Sequence, residues 1–198
     1  HYVYFPLILP GLPISTKTQA EMEASEKNRE EREKLIKKGI ATFKQAEKKT
    51  EISEQYKLYH KSRDYFRRAQ HLIDTSDIEA LIYPKNYSIE RNVDVLYYLG
   101  RISEAYKQHI HKHAAFGWSN TRLKRAEFFF FFAIALKPNH VGANLYLGMV
   151  YLEQERLMES KKQLQKTLKL KRITPSEKTL AEKSIFLIEQ KESQQEDE

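Results

Sequence analysis

The sequence predicts an all-α protein. Glu, Lys, Leu and Ala recur along its 198 residues, and only six glycines and six prolines interrupt them, which favours helices over a sheet protein rich in turns. Within residues 141–170 the apolar side chains recur at helical spacing, with Gly148 and Tyr151 on one helix and Leu164 on the next. Because Gly148 has no side chain to keep a neighbouring helix away, this stretch predicts two short antiparallel helices in close contact.

The same stretch resembles the tetratricopeptide repeat (TPR). The signature of that family is Trp, two residues, Leu-Gly, two residues and Tyr, followed by Ala, three residues, Phe and a closing Pro. This chain keeps the spacing, with Asn for Trp, Ser for Ala and Leu for Phe, at Asn144, Leu147, Gly148, Tyr151, Ser160 and Leu164. The second half of the motif recurs upstream at Ala126, Phe130, Ala133 and Pro138. Ala126 precedes Ser160 by 34 residues, which is the period of the family.

Earlier stretches repeat parts of this register. Gly39 lies in an apolar stripe, Ser62 and Phe66 repeat the small-large spacing, and Gly100 follows a leucine as in the family. The resemblance implies a TPR-like α-solenoid, over residues 16–192, of about three helical hairpins and a C-terminal capping helix. The hairpins would span residues 17–73, 89–137 and 140–171, and the capping helix residues 175–192. The repeat-packing residues would be Gly39, Phe66, Gly100, Ala126, Phe130, Gly148 and Tyr151.

Signals at three places refine this architecture. Thr174, Pro175 and Glu177 supply an N-cap hydroxyl, a first-turn proline and a capping-box carboxylate, so a helix is predicted to start there. Residues 193–198 are predicted to form a fraying acidic tail. The interval from Gly100 to Ala126 is 14 residues longer than the family's interval between the glycine and the alanine of its motif. This surplus predicts a longer first helix or an inserted loop.

Residues 126–136 contain five consecutive phenylalanines. Five adjacent side chains cannot share one helical face, so we expect a helix that is covered on most sides. A buried strand is the alternative, but the alanines around the phenylalanines and the following Pro138 favour a helix.

Residues 1–15 form an apolar segment that contains three prolines. It is shorter than a bilayer span of roughly 20 residues, and its prolines exclude a regular helix. We expect an extended arm that packs on its own groove or on that of another copy, because Tyr2, Tyr4 and Phe5 would be costly to leave in water. A membrane-segment remnant and a disordered tail are the alternatives. Since the chain opens on His, we also expect a missing upstream segment, either a cleaved signal or an anchor.

Charge and cysteine content narrow the class of partner. The net charge of +7 gives a mild preference for anionic surroundings, but 34 basic residues are interleaved with 27 acidic ones, as on a solvated helical surface. The basic run at residues 161–172 has no interleaved aromatic side chains for base stacking, which disfavours nucleic acid. With no cysteine, disulfides, a zinc ribbon and a thiol nucleophile are excluded.

The sequence contains no phosphate-binding glycine loop, nucleophile elbow or HExxH motif, so we expect a non-enzymatic protein without a cofactor. His109 and His113 are four residues apart on one helical face, a spacing that can hold a divalent metal. Because the surrounding segment is polar, solvent-facing or structural histidines are the preferred interpretation.

The TPR resemblance implies a concave groove, lined by the first helix of each hairpin, that binds a peptide or a partner subunit. Carried over by register, its lining would include Ile36, Ile40 and Phe43 in the first hairpin and, in the later two, Asp94, Tyr97, Arg101, Glu104, Leu145, Met149 and Leu152. A Met- and Leu-lined groove favours an apolar helix or extended segment.

We therefore expect a scaffold or assembly factor, in a cell-envelope or filament complex if the upstream segment is an export signal. Envelope or periplasm is then favoured over cytoplasm. The alternatives are a membrane-anchored TPR adaptor and, last, a metal-binding protein.

Overall fold

The structure, a computed structural model, describes residues 19–72, 89–110 and 117–196. Within these ranges the chain forms helices and short connections, with no strand, so the all-α prediction is confirmed. The described helices are α1 (Gln19–Glu47), α2 (Ile52–His71), α3 (Ile89–Ile110), α4 (Gly117–Leu136), α5 (Val141–Glu153), α6 (Leu157–Leu168) and α7 (Pro175–Glu196). The predicted N-terminal arm, residues 1–15, lies outside the described residues.

Helices that follow each other in sequence also pack against each other. The closest pairings are α1 with α2, α3 with α4 and α5 with α6, while α7 packs on α6 and α5. The first helices of successive pairs also touch, since α3 contacts both α1 and α5. The chain therefore builds its core from three neighbouring helical pairs and one further helix.

Three clusters of buried apolar side chains form this core. The first joins α1, α2 and α3 around Phe43 and Phe66, and the second joins α3, α4 and α5 around Phe130. The third joins α5, α6 and α7 around Leu164. The side chain of Tyr146 packs against both the second and the third cluster.

In each pair, a glycine of the first helix faces a large side chain of the second. The facing residues are Gly39 and Phe66, Gly100 and Phe130, and Gly148 and Leu164. A Cβ atom added at any of these glycines would lie between 2.5 and 2.8 Å from the facing side chain, closer than real Cβ contacts. Each pair can approach this closely only because the first helix has no side chain at the crossing.

Two of the crossings share a second contact. The Ser62 hydroxyl donates to the carbonyl oxygen of Gly39 (2.8 Å), and the Ser160 hydroxyl donates to that of Gly148 (2.7 Å). Ala126 occupies the corresponding position in the α3–α4 pair, four residues before the facing Phe130, and has no hydroxyl to donate. The three pairs thus place a small residue and then a large one, four positions apart, against the same glycine.

Tyr151 does not fill the gap at Gly148. Leu164 does so, with its Cδ2 atom 2.8 Å from where a Cβ of Gly148 would lie. Tyr151 is partly buried against the second core cluster, where the Arg156 guanidinium lies 4.2 Å from its ring centroid. The register therefore holds at the glycine, but the large side chain that completes the contact comes from α6.

The expectation that the phenylalanine segment is covered on most sides is wrong. The segment is helical, and Phe130 is fully buried, but Phe128, Phe131 and Phe132 are 55%, 59% and 44% exposed. Only one face of α4 packs against α3 and α5, so phenylalanines on the other faces remain at the surface.

The additional residues between Gly100 and Ala126 lengthen both helices of the second pair. Helix α3 continues for ten residues beyond Gly100, to Ile110, and α4 begins at Gly117, nine residues before Ala126. In the third pair, by contrast, Gly148 and Ser160 are joined by a short turn at residues 154–156, where Glu155 adopts a φ of 62°. The first two pairs are therefore longer than the third around the same kind of crossing.

The start of α7 matches the sequence prediction. The backbone N–H of Thr174 donates to Glu177 (2.9 Å) and the backbone N–H of Glu177 donates to the Thr174 hydroxyl (3.3 Å), which is a reciprocal capping box. The helix runs to Glu196 and so includes residues 193–196 of the predicted acidic tail. Residues 193–196 include no glycine or proline that would end the helix.

Thr174→Ala is expected to lower the free energy of unfolding by about 1 kcal/mol, because it leaves the backbone N–H of Glu177, in the first turn, without its side-chain acceptor. Denaturant unfolding followed by circular dichroism would measure the change. Thr179→Ala is the matched control, since the Thr179 hydroxyl is exposed and bonds only to the Pro175 carbonyl within α7. An equal loss in both variants would contradict a specific capping role.

Candidate functional site

The predicted groove residues of α3 lie where the first helices of the three pairs meet. Arg101 is largely buried, and its Nη2 atom donates to Glu47 of α1 at 2.8 Å. Its guanidinium carbon lies 3.7 Å from the ring centroid of Tyr146 on α5, and its Nη1 donates to the Tyr97 hydroxyl at 3.3 Å. Arg101 therefore links α1, α3 and α5, and Glu104 lies 3.4 Å from its Nε.

Burial opposes the charge on Arg101, but the surrounding tyrosines and Glu104 outweigh it, and its pKa stays above the ordinary value. The guanidinium therefore remains a cation at every pH at which the protein is folded. In this structure Arg101 holds three helices together. Fewer of its N–H groups are therefore available to a partner than its predicted place in a groove implied.

The N-terminal end of this site is formed by α3 and the start of α5. The rings of Tyr97 and His140 are 4.9 Å apart, and the Nε2 atom of His140 lies 3.9 Å from the carboxylate of Asp94. Gly142 permits this arrangement, because a Cβ there would lie 2.9 Å from the Tyr97 ring. The Asp94 side chain remains 47% exposed, so it is the α3 groove residue most open to solvent.

The predicted groove residues of α5 divide into core and surface. Leu145 is 1% exposed and belongs to the third core cluster with Leu164 and Ile188. The expectation that it lines a groove is therefore wrong, because α6 and α7 cover it. Met149 and Leu152 are partly buried against the same cluster and keep part of their surface exposed.

The same correction applies to the first pair. Ile36 and Phe43 are buried in the first core cluster, whereas Ile40 is partly buried beside it. Helix α3 lies over this face of α1, and the ring of Tyr98 packs 5.2 Å from that of Phe43. The exposed part of the site is consequently concentrated between α3 and α5.

Among the described residues at this site, carboxylates outnumber cations. Glu47 and Asp94 are 40% and 47% exposed, and Glu104 is partly exposed. Arg101 pairs with Glu47 and lies 3.4 Å from Glu104, whereas Asp94 lies beside His140. Although the whole chain carries a charge of +7, the surface beside Arg101 is thus acidic. Met149 and Leu152 of α5 are partly exposed and pack against the same core cluster as Tyr146, the ring that Arg101 contacts.

Three further residues complete this site, from α1, from the N-cap of α5 and from α5 itself, and no sequence motif pointed to them. Glu47, His140 and Tyr146 lie 54, 39 and 45 positions from Arg101 respectively. No local motif joins them, because their contact arises from the packing of α1, α3 and α5. Only the shared register of the glycines could have placed their helices side by side.

The predicted metal ligands cannot be placed as a pair. His109 lies in the last turn of α3, and His113 lies outside the described residues. Among the side chains that the structure describes, no three of His, Asp or Glu are grouped as metal ligands would be. The helices described here also include none long and apolar enough to cross a bilayer.

Buried tyrosines around this core give the protein an expected sensitivity to alkaline pH. Burial raises the pKa of Tyr98, Tyr106 and Tyr146 to about 12. The unfolded chain releases these protons near pH 10 and the folded chain holds them longer, so folding is favoured below pH 10 and this contribution is lost between pH 10 and 12.

We expect the denaturant midpoint to fall steeply over that interval, and the fall to be shallower in Tyr146→Phe. Unfolding curves at several pH values, measured together with the absorbance of tyrosinate, would test this expectation. Identical pH profiles for the wild type and Tyr146→Phe would contradict the raised pKa of Tyr146.

No family model, curated protein or solved structure matches this chain. The class that the structure itself defines is an all-helical protein built from packed helical pairs.

Proposed function

We propose that this protein is a non-enzymatic scaffold, a TPR-like α-solenoid that binds a peptide segment of a partner protein along α3 and α5. The observation that carries the proposal is the recurring crossing, in which Gly39, Gly100 and Gly148 each receive one large side chain of the following helix. The contacts of α3 with α1 and with α5 support the proposal further, since stacked repeats bring the first helices of successive pairs together.

The charge of the site indicates which peptides it would bind. Glu47 and Glu104 lie at the Arg101 guanidinium, and Asp94 lies beside His140. Met149 and Leu152 are partly exposed on α5, where they pack against the same core cluster as Tyr146, the ring that Arg101 contacts. We infer a partner segment that combines Lys or Arg with apolar residues, because the cations would meet exposed carboxylates and the apolar side chains would cover the Met-Leu surface.

Selection from an unbiased displayed peptide library would test the proposal. Recovered peptides are expected to be enriched in basic and apolar residues and to bind saturably as synthetic peptides in fluorescence anisotropy. Asp94→Lys is expected to weaken their binding about tenfold or more, since it replaces an attraction by a repulsion at a carboxylate that is more exposed than that of Glu104. Glu182→Lys provides the same charge change on the exposed surface of α7 and should leave the affinity within twofold.

The binding position can be mapped independently. A photo-crosslinking residue at Met149 is expected to capture the bound peptide, and the same residue at Met158, 83% exposed on α6, is not. Selection of acidic peptides, or equal weakening by Asp94→Lys and Glu182→Lys, would contradict the proposal.

A further inference from the structure

A cavity of about 260 Å³ lies between α2, α3 and α4, away from the Arg101 site. Four arginines line it, Arg63 and Arg67 from α2 and Arg122 and Arg125 from α4. The sequence places Arg63 and Arg67 four residues apart and Arg122 and Arg125 three apart, so each pair projects from one helical face. The packing of α2 and α4 on α3 brings the two pairs to one cavity.

The cavity is lined by buried polar groups that have no hydrogen-bond partner in the part of the chain that the structure describes. Tyr106 of α3 is 3% exposed, and its hydroxyl has no hydrogen-bond partner among the described residues. The Nε atom of Arg63 is likewise buried and without an acceptor. Burying a donor without a partner destabilises the folded state, because the group loses its hydrogen bonds to water. Two such donors at one cavity therefore indicate that an acceptor completes the site.

The positive charge of the cavity is also largely uncompensated. Arg63 contacts His60 (2.9 Å) and lies 3.7 Å from the exposed carboxylate of Asp64. Within the part of the chain that the structure describes, Arg67, Arg122 and Arg125 form no ion pair.

Two of the guanidiniums lie over the ring of Tyr106 instead. The Arg63 and Arg122 carbons are 5.6 and 5.5 Å from its centroid. Both guanidiniums therefore hold positive charge close to the Tyr106 hydroxyl, the donor that lacks an acceptor.

The geometry points to a binding site for the phosphate group of a small organic phosphate, held by the four arginines and by the Tyr106 hydroxyl as donors. A guanidinium presents its N–H groups as a planar fork that matches phosphate oxygens. A dianion offsets the mutual repulsion of several arginines better than a monovalent carboxylate does.

The size and lining of the cavity argue for an organic group attached to the phosphate. A volume of about 260 Å³ corresponds to about nine water molecules at the liquid volume of roughly 30 Å³ each, more than one phosphate ion requires. Leu99, Ile102 and Phe129 supply an apolar wall against which a carbon skeleton or ring would pack. Since both α2 and α4 contribute ligands, the occupied site would also hold the first and second pairs together.

Titration calorimetry with phenyl phosphate, at physiological ionic strength, tests the site. We expect saturable binding to the wild type, at least tenfold weaker binding to the Arg67→Gln/Arg125→Gln variant, and severalfold weaker binding to Tyr106→Phe. Arg68→Gln/Lys124→Gln is the matched control, because it removes the same charge from exposed neighbours on the same two helices that do not line the cavity. This control should bind within twofold of the wild type.

A second arm distinguishes the source of the phosphate. Vesicles containing phosphatidic acid are compared with vesicles of phosphatidylcholine alone, using the same variants. Binding to phosphatidic acid that is lost in Arg67→Gln/Arg125→Gln supports the site with a lipid headgroup as ligand, whereas binding confined to soluble phenyl phosphate supports a free metabolite. Equal loss in the two double variants, or no saturable binding of either probe at millimolar concentration, overturns the inference.

Discussion

Phe130→Ala is expected to lower the free energy of unfolding by about 3–5 kcal/mol. The ring is fully buried at the crossing of α3 and α4, and stacks on Tyr146 of α5 with centroids 6.1 Å apart. Truncation removes its buried surface and leaves a cavity that three helices border. Chemical denaturation with both fluorescence and circular dichroism would measure the loss.

The neighbouring Phe131→Ala is the matched control. It deletes the same side chain from the same helix, but Phe131 is 59% exposed, so we expect a change below about 1 kcal/mol. Similar losses of unfolding free energy in the two variants would show that α4 does not pack against α3 and α5 with the face that carries Phe130.

Gly100→Ala is expected to destabilise the protein by about 1–3 kcal/mol, even though alanine is the better helix former by about 1 kcal/mol. The added Cβ would lie 2.5 Å from the Phe130 ring, which is fully buried and packed against the rings of Tyr97 and Tyr146, so relief of the clash requires these neighbours to shift. Thermal and denaturant unfolding would report the change. A stabilised variant would contradict the close approach of α3 and α4.

The same substitution in the Phe130→Ala background provides the control. With the ring removed, Gly100→Ala should be neutral or stabilising, so the two changes should fail to add by more than about 1 kcal/mol. Additivity within about 0.5 kcal/mol would mean that the residues do not meet. The cycle therefore measures the contact itself rather than the cost of either truncation.

The sequence was most informative where a single residue determines a local contact. Gly39, Gly100 and Gly148 were predicted at helix contacts from their places in apolar stripes, and each does face a large side chain. The capping box at Thr174 was equally readable, because its three residues act on one another within one turn. Such features need no knowledge of distant parts of the chain.

The burial of side chains was harder to predict, because it depends on how many helices surround each segment. A local sequence pattern does not specify that number. Five adjacent phenylalanines indicated a covered helix, yet α4 has neighbours along only part of its circumference, and three of the rings are exposed. Leu145 shows the opposite error, because α6 and α7 cover a position that the repeat register assigns to an open groove. At Arg101, the contact with Glu47 follows from the packing of α1 on α3 and has no signature in either helix alone.

The position of Tyr146 between two core clusters has a consequence for how the molecule opens. Because this ring packs against both the α3–α5 and the α5–α7 clusters, loosening either set of helices removes part of the support of the other. Amide hydrogens of α5 should consequently exchange with solvent last, and those at the outer ends of α1 and α7 first. Through Tyr146, unfolding of the helices around the second core cluster is thereby coupled to unfolding of those around the third.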